Sequence, residues 1–450
     1  MPATLQPHPL TTLVERQNMK ATAYLKRVAD RHARLGYGPM AARREKLTRW
    51  TRAGIEPART AQLAIADLHG ISAREVDRLG WPGFLHLALG GEAAFEAPWT
   101  AAGTVEVLTD VGGPVAVDRR GFLIATSSVL ATATTQWATA TPALAEGHGR
   151  RVGSEAADLF DTRLQALRHL DDTVGADQTY DAALMEQHLI ATLLRGATYS
   201  AATGRRLYLC AADAARLAGW CAYDGGRTAA AERHFMAALR ASGSAGDATS
   251  GAITLGFWAN LRYAGGDPLG AQHLVDAALA DRQKIASPRV VAMLHGRAAR
   301  AHSKAGGSTA AWRHMDAAFA AYSRAAPAEQ DLPSMYWITK GELHEIAASS
   351  ALTLGEPHRA LEHFEAAVSD QDPYDTAKEA RGTGIYLARQ AEAHLALGDI
   401  DAALDTGHRV LATLGDVDSA RTASTLADLR AALTPHKAVP AVQEFLTEAA

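Results

Sequence analysis

The chain contains 450 residues, of which 48% are hydrophobic and only 6% are aromatic. A single compact core does not extend over this length, so several domains or an extended repeat array are expected. Alanine is abundant while valine, isoleucine and aromatic residues are sparse, and this composition favours helices over sheets. The sequence therefore predicts an all-α protein.

Charge is distributed unevenly along the chain. Residues 1–80 contain 14 Lys and Arg against 7 Asp and Glu, a formal charge of +7. Because the whole chain carries −4, the remaining residues carry −11. A basic head in front of an acidic body predicts that the head contacts a polyanion.

The two cysteines, Cys210 and Cys221, are not part of a CxxC or other metal-ligand spacing. We expect them to pack between helices in a reducing compartment. The first residues, MPATLQPHPL, lack the charged-then-apolar order of a secretory signal. The sequence therefore predicts a cytoplasmic protein without a metal site or another cofactor.

The helical pattern predicts five helices in the head, at 10–17, 20–35, 42–50, 59–69 and 72–79. Between the third and the fourth, the sequence LTRWTRAGIEP runs from Leu47 to Pro57. This segment resembles the signature xSRWExGxxP of the lambda-repressor-like (Xre) helix-turn-helix family. The sequence LAIADLHGIS from Leu63 to Ser72 resembles that family's fourth helix and the cap of its fifth. The resemblance implies a DNA-binding domain over residues 1–82.

In a helix-turn-helix domain the recognition helix turns its polar face to base edges in the major groove. With Leu47 and Trp50 directed towards the core, the resemblance implies base contacts from Arg44, Glu45 and Arg49. Phosphate contacts are expected from seven further basic residues of the head, which are Lys20, Lys26, Arg27, Arg43, Lys46, Arg52 and Arg59. The alternative is that the charged run 43–46 is only a solvated helix face.

Two features of the head depart from the family pattern. The loop 33–39 is longer than the family's turn between its second and third helices, and Lys20 stands where the family has a Ser or Thr cap. Actinobacterial regulators that join such a head to tetratricopeptide-like repeats share the longer second helix, and the whole chain resembles that group.

Residues 83–153 are predicted to link the head to the body. They include an uncharged segment, 121–145, which begins just after the pair Arg119-Arg120. The sequence RRGFL resembles a twin-arginine export signal, and the segment is long enough to span a bilayer. Because it is internal and rich in Thr and Ser, we predict a packed or flexible interdomain helix, with a membrane anchor as the alternative.

Segments of the body superimpose after an offset of 40 residues, which places Tyr263 on Tyr223 and Ala278 on Ala238. Each copy reads as two helices separated by a glycine-containing turn. One such pair cannot bury its own apolar face, so the copies must stack. The pattern resembles the tetratricopeptide repeat, although its spacing exceeds the roughly 34 residues of that family. The resemblance implies a helical solenoid over residues 154–450.

The first helix of each repeat lines the concave wall of such a solenoid, so its outward residues are candidate ligand contacts. They are Asp213, Arg216, Trp220, Tyr223, Asn260, Tyr263, Arg300 and Glu345. An Asn side chain pairs both ways with a peptide backbone, and Arg300 suits a terminal carboxylate. We expect a short signalling peptide or a small molecule. The alternative is that Trp220 and Tyr223 only pack between repeats and that the array holds a homodimer together.

Motifs typical of enzymes are missing from the sequence: His344-Glu345 does not continue to HExxH, and GxSxG, Walker and GxGxxG motifs do not occur. His234, His314 and His363 recur before a packing position of the second helix, which indicates shared ancestry or surface rather than a metal site. The sequence predicts a bacterial transcription regulator without enzymatic activity that binds double-stranded DNA. The alternative is a repeat-based adaptor with a degenerate head.

Overall fold

The computed structural model describes residues 8–16, 19–52, 54–69, 71, 73, 76–77, 80–86, 94–95, 97–112, 127–143, 149–370, 372–373, 380–414 and 419–449. These residues form twenty α-helices, a few short 3₁₀ turns and one isolated bridge between Arg151 and Thr198. The predicted all-α class is therefore confirmed.

The head begins with four helices that match the predicted ones to within two residues. They are α1 (Pro9–Arg16), α2 (Ala21–Arg34), α3 (Arg44–Thr51) and α4 (Arg59–Leu68). The fifth predicted helix, 72–79, lies largely outside the described residues, of which 73, 76 and 77 are helical. Lys20 precedes α2 and makes no side-chain capping bond.

The head has a hydrophobic core of its own. Leu25 of α2 and Ile65 of α4 are fully buried, and Trp50 of α3 is 7% exposed. The hydroxyl of Tyr24 lies 2.8 Å from His69 Nε2 inside this core. Burial lowers the pKa of His69 to about 4, so the imidazole is neutral and able to take part in a neutral hydrogen bond. Apolar packing and one internal hydrogen bond therefore fix α2 and α4 against each other.

The long loop between α2 and α3 is attached to the head by a buried imidazole. The two ring nitrogens of His32 lie 2.8 Å from the carbonyl oxygen of Gly38 and 3.0 Å from the hydroxyl of Thr60. After α3 the chain turns at Gly54, whose φ of +65° is readily adopted only by glycine. These contacts place α3 at the edge of the head with its buried face on α2.

Two helices from the segment 83–153 pack on the body. They are α5 (Ala101–Gly112) and α6 (Ser127–Ala138), and both contribute buried residues, such as Leu108 and Leu130, to the main hydrophobic cluster. The side chain of Arg240, fully buried in the body, donates to the carbonyl oxygens of Ala94 and Ala97 at 2.9 and 2.6 Å. The described part of this segment is therefore joined to the body by apolar and polar contacts.

The candidate membrane segment 121–145 is described from residue 127 to residue 143. Helix α6 occupies most of that part, and its Leu130 is buried against body helices. Among the helices that the structure describes, none combines the length and the apolar character needed to cross a membrane.

The body is a succession of antiparallel helix pairs. These are α7 (Glu155–Val174) and α8 (Ala176–Gly196), α9 (Ala201–Asp224) and α10 (Thr228–Ala245), α11 (Ala248–Ala264) and α12 (Pro268–Ala280), α13 (Pro288–Lys304) and α14 (Ser308–Tyr322), α15 (Lys340–Thr353) and α16 (Pro357–Ser369), α17 (Ala380–Ala396) and α18 (Ile400–Leu414), and α19 (Ala420–Leu433) and α20 (Pro440–Glu448). The first helix of each pair packs on the first helix of the next from α9 to α19.

A glycine with positive φ ends the first helix of five consecutive pairs. These glycines are Gly226, Gly266, Gly306, Gly355 and Gly398, with φ between +73° and +85°. The first three are 40 residues apart, which is the offset read from the sequence. The left-handed conformation carries no steric penalty for glycine, so each one lets the chain reverse into the second helix.

Small residues let the paired helices approach closely. A Cβ atom added to Gly219 would lie 2.8 Å from the ring of Phe235, closer than side chains pack. Phe235 is fully buried and fills the space between α9 and α10. The pairing of α9 and α10 therefore depends on the absence of a side chain at position 219.

Candidate ligand cavity and nucleic-acid interface

The predicted recognition helix α3 presents a basic outer face. Arg43, Arg44, Glu45, Arg49 and Arg52 are all exposed, and none of the five forms an ion pair with a residue that the structure describes. On the opposite side, Trp50 is buried and Leu47 packs on the head core. Arg44 and Arg49 lie within α3, and Arg43 and Arg52 flank its two ends, so four guanidinium groups are available on or next to this short helix. Lys46, predicted as a phosphate contact, is half-buried and so less accessible than these arginines.

The remaining predicted phosphate contacts lie outside α3. Lys20, just before α2, and Lys26, within α2, are exposed. Arg27 is exposed and donates to the sulfur of Met19 at 3.4 Å. Together with residues of the body it lines a cavity. Arg59 forms an ion pair with Asp77, so a phosphate would have to compete with a carboxylate for it. Of these four, only the lysines lack a partner within the described residues.

A cavity of about 1090 Å³ lies along the first helices of the repeats. Residues of α9, α11, α13, α15 and α17 line it, and side chains of α2 and α4, such as Arg31 and Leu63, bound it on the head side. Seven of the eight predicted groove residues face it, namely Asp213, Arg216, Trp220, Tyr223, Asn260, Tyr263 and Arg300. Glu345 is the exception.

Aromatic rings form one wall of the cavity. The ring of Trp220 lies 5.6 Å from that of Tyr223 and 5.3 Å from that of Phe257, and Phe257 lies 5.8 Å from Trp337. All three contacts are edge-to-face, the geometry that aromatic pairs favour. Trp220 and Tyr223 therefore pack between repeats and line the cavity at the same time.

The side chain of Asn260 faces the cavity without a hydrogen bond. Only 6% of Asn260 is exposed, and its amide is not bonded to any part of the chain that the structure describes. Its two donors and its carbonyl oxygen are therefore available to a molecule in the cavity.

Four basic side chains gather where α13 and α17 face the cavity: Arg297, Arg300, Lys304 and Arg389. In the described parts of the chain, none of them has a carboxylate oxygen within 4 Å. Arg300 donates to the carbonyl oxygen of Ser349 at 2.5 Å, and Arg389 donates to the Ser349 hydroxyl at 2.7 Å. We call Arg297, Arg300 and Arg389 the arginine cluster.

The surroundings disfavour the positive charge of Arg300 but not that of Arg297. Burial and the neighbouring Arg389 lower the pKa of Arg300 to about 9. Although burial acts in the other direction, the hydroxyl of Tyr263, which accepts a hydrogen bond from Arg297 at 3.2 Å, and the carboxyl of Glu342 raise the pKa of Arg297. Buried charges are normally paired, so Arg300 is the member of the cluster that most needs an anionic partner.

Two buried carboxyl groups lie near the arginine cluster. Glu342 accepts a hydrogen bond from the hydroxyl of Tyr386 at 2.9 Å, and burial raises its pKa to about 7. Burial and the nearby Glu342 also raise the pKa of Glu345, and its Oε2 has no partner within the described chain. Glu345 was predicted to line the groove, but it is not among the residues that line the cavity, and it is 5% exposed. Near neutral pH these two groups offset only part of the cluster's charge.

The opposite end of the cavity has matched charges. Arg216 donates to Asp213 at 2.5 Å, and Arg168 pairs with the same carboxylate. Although burial acts in the other direction, these two guanidinium groups lower the pKa of Asp213. Arg216 is thus already paired, unlike the arginine cluster.

Charged residues far apart in sequence join the two ends of the body. Arg381 of α17 lies 2.8 Å from Asp171 of α7 and 2.7 Å from Asp224 of α9, and Arg421 of α19 lies 3.4 Å from Asp224. The hydroxyl of Ser419 bonds the same Asp224 at 3.0 Å. We call these five residues the clasp. Because it joins the first helix pairs to the last, it closes the body around the cavity.

The predicted set of groove residues was incomplete. Arg297, Trp337, Tyr386 and Arg389 also line the cavity. The 40-residue offset carries Phe257 onto Arg297, but Phe257 was not predicted to line the groove, so the repeat pattern did not indicate Arg297. Trp337 lies in the irregular connection before α15, where the repeat pattern does not extend.

The recurrent histidines contact different helices of the body. His234 is 2% exposed, and its ring nitrogens lie 3.1 Å from the Tyr180 hydroxyl and 3.1 Å from Gln187 Oε1, both on α8 of the preceding pair. The Nδ1 of His314 lies 3.0 Å from that of His295 on the first helix of its own pair, and His363 lies in the same way against His344. His314 and His363 therefore hold equivalent positions, whereas His234 packs on the neighbouring pair and is not a surface residue.

No family model and no curated protein sequence matches this chain.

Proposed function

We propose that this protein is a DNA-binding transcription regulator whose helix-turn-helix head is joined to a tetratricopeptide-like solenoid that senses a ligand. The observation that carries the proposal is the outer face of α3, where Arg43, Arg44, Arg49 and Arg52 are exposed without carboxylate partners in the described chain. Arginine is the commonest partner of guanine in the major groove, and unpaired basic groups also contact phosphates.

The burial of Trp50 supports this role for α3. Anchored by Trp50, the helix keeps Arg44 and Arg49 outward, five residues or about one and a half turns apart. Two side chains at this spacing reach neighbouring bases from one helix. Glu45 lies between them and suits a cytosine amino group.

Ligand sensing by the body is supported by the cavity. Its volume of about 1090 Å³ is large enough for a short peptide or a comparable small molecule. The free amide of Asn260 offers the donor and acceptor pair that an extended peptide backbone needs.

We propose a homodimer as the active form, since helix-turn-helix regulators use two copies for paired half-sites. Sedimentation equilibrium measures the oligomeric state directly.

The DNA-binding role is tested by site selection from a random duplex pool. The wild-type chain is expected to enrich one motif, and the variant R44A/R49A is expected to lose it while circular dichroism stays unchanged. The matched control is Arg313→Ala, which removes an exposed arginine of α14 on the body. Equal enrichment by R44A/R49A and wild type would contradict the role of α3.

A salt titration separates the regulator from the adaptor. Binding to random duplex should weaken steeply with NaCl, and R43A/R52A should reduce the slope of log Kd against log salt by about 2. If wild-type protein does not bind duplex even at low salt, the head is degenerate and an adaptor role is favoured instead.

A further inference from the structure

The arginine cluster differs from the other buried arginines that face the cavity. Arg168 and Arg216 share Asp213, and Arg381 and Arg421 share Asp224. The cluster lacks such a carboxylate within 4 Å in the described chain, although two of its members, Arg297 and Arg300, are only 6% and 4% exposed. Sites that keep like charges together in this way are typical of anion binding.

We propose that Arg297, Arg300 and Arg389 bind an anionic group, a carboxylate or a phosphate, of the molecule that occupies the cavity. This inference rests on the ligand-sensing part of the proposed function and names the chemistry of the ligand. Guanidinium groups suit both anions because they donate paired hydrogen bonds to two oxygens.

Neighbouring residues define the part of the ligand next to the anion. Asn260 lies on α11, one repeat before Arg300, and supplies a free amide. The ring of Tyr263 lies 5.9 Å from the guanidinium of Arg300, and that of Trp337 lies 5.3 Å from that of Arg297. The ligand is therefore expected to carry an amide-like group and an apolar or aromatic part beside its anion, as the terminal residue of a peptide does.

Carboxyl groups also face the arginine cluster and limit its positive charge. They are Glu342, Glu345, Glu392 and Asp428. Burial favours the neutral form of the first three. Asp428 is exposed, so water screens it. These groups reduce the attraction for an anion without forming ion pairs with the cluster.

The test measures the midpoint of thermal unfolding of the full chain with three probes: inorganic phosphate, N-acetyltryptophan and N-acetyltryptophan amide. The variant is Arg389→Gln, which keeps a donor for the Ser349 hydroxyl, and the control is Arg313→Gln on the outer surface. A probe at ten times its Kd should raise the midpoint of this 450-residue chain by about 1.5 °C. Phosphate also stabilises proteins without a site, so the difference between wild type and R389Q is the measured quantity.

We expect wild type and R313Q to be protected equally and R389Q to lose most of the protection. Protection by N-acetyltryptophan but not by its amide identifies a carboxylate ligand, and protection by phosphate alone identifies a phosphate ligand. Without a probe, R389Q should unfold at the same temperature as wild type or higher, because it removes charge repulsion on Arg300. A residue with only a structural role would lower that temperature.

Equal protection of R389Q and wild type by every probe, or no protection of either, overturns the anion site. DNA binding is measured separately on the same samples. Anion protection without DNA binding leaves this inference standing and removes the proposed regulator, while the reverse result removes only the anion site.

Discussion

Neutralising one carboxylate of the clasp should open the body. Asp224 is fully buried, and it accepts ion pairs from Arg381 and Arg421 and a hydrogen bond from Ser419. The substitution Asp224→Asn keeps an acceptor for Ser419 but leaves Arg421 without a charged partner in the described chain. Removing one member of a buried ion pair costs about 3–5 kcal/mol, so a loss of about 3 kcal/mol in unfolding free energy is expected.

Urea denaturation followed by circular dichroism measures the loss, and hydrogen exchange locates it. Faster exchange is expected in α17 and α19, which the clasp attaches to the first repeats, and not in α11 or α12. The matched control is Asp281→Asn. Asp281 pairs with Lys284 at 2.5 Å, but its side chain is 66% exposed, so the change should cost at most about 1 kcal/mol. The closed body would be refuted if D224N lost no more stability than D281N.

Three other changes test packing and charge. Arg240→Met should cost about 2–4 kcal/mol and expose 97–112 to proteases, because the buried guanidinium donates to carbonyl oxygens at the start of that segment. Gly219→Val should lower the free energy of unfolding by about 1–3 kcal/mol, because the new side chain meets the ring of Phe235. The control is Gly306→Ala, whose new methyl group meets no atom within 4 Å and only strains the backbone at a φ of +78°. Burial lowers the pKa of His234 to about 3, so the unfolded chain binds its proton first, and the stability that neutral His234 contributes is complete above pH 6.5 and falls as the pH drops towards 3. Buried Glu342, whose pKa is raised to about 7, acts in the opposite direction, so wild type is compared with His234→Gln. A wild-type midpoint of unfolding that falls no more steeply between pH 7 and pH 4 than that of His234→Gln would contradict this last prediction.

The sequence determined the local structure of this protein. Helix periodicity and composition were enough for the all-α class and for the bounds of α2 and α4, because these features depend on residues three or four apart. The turn glycines followed from the repeat offset, since only glycine adopts positive φ without cost at those turns. The burial of Trp50 opposite the basic residues of α3 was likewise read from spacing along a single helix.

The direction of groove side chains was only partly readable. Asn260 and Arg300 line the cavity as their repeat positions indicated, but Glu345 does not. A helix position that is outward in one repeat is covered in another when the pitch changes, and the offset between turn glycines grows from 40 to 49 residues between Gly306 and Gly355. Ligand contacts by the residues that line the cavity, and DNA contacts by the residues of α3, remain predictions.

Only the tertiary structure decided which charges have partners. Arg381 pairs with Asp171, which is 210 residues away in the sequence. Arg297 of α13 and Arg389 of α17 both line the cavity, and neither has a carboxylate oxygen within 4 Å in the described chain. The packing of α5 and α6 on the body was also beyond the sequence pattern. Periodicity specifies which face of a helix is buried, but the curvature of the stack decides what that face meets, and curvature is the sum of many small packing angles between successive pairs.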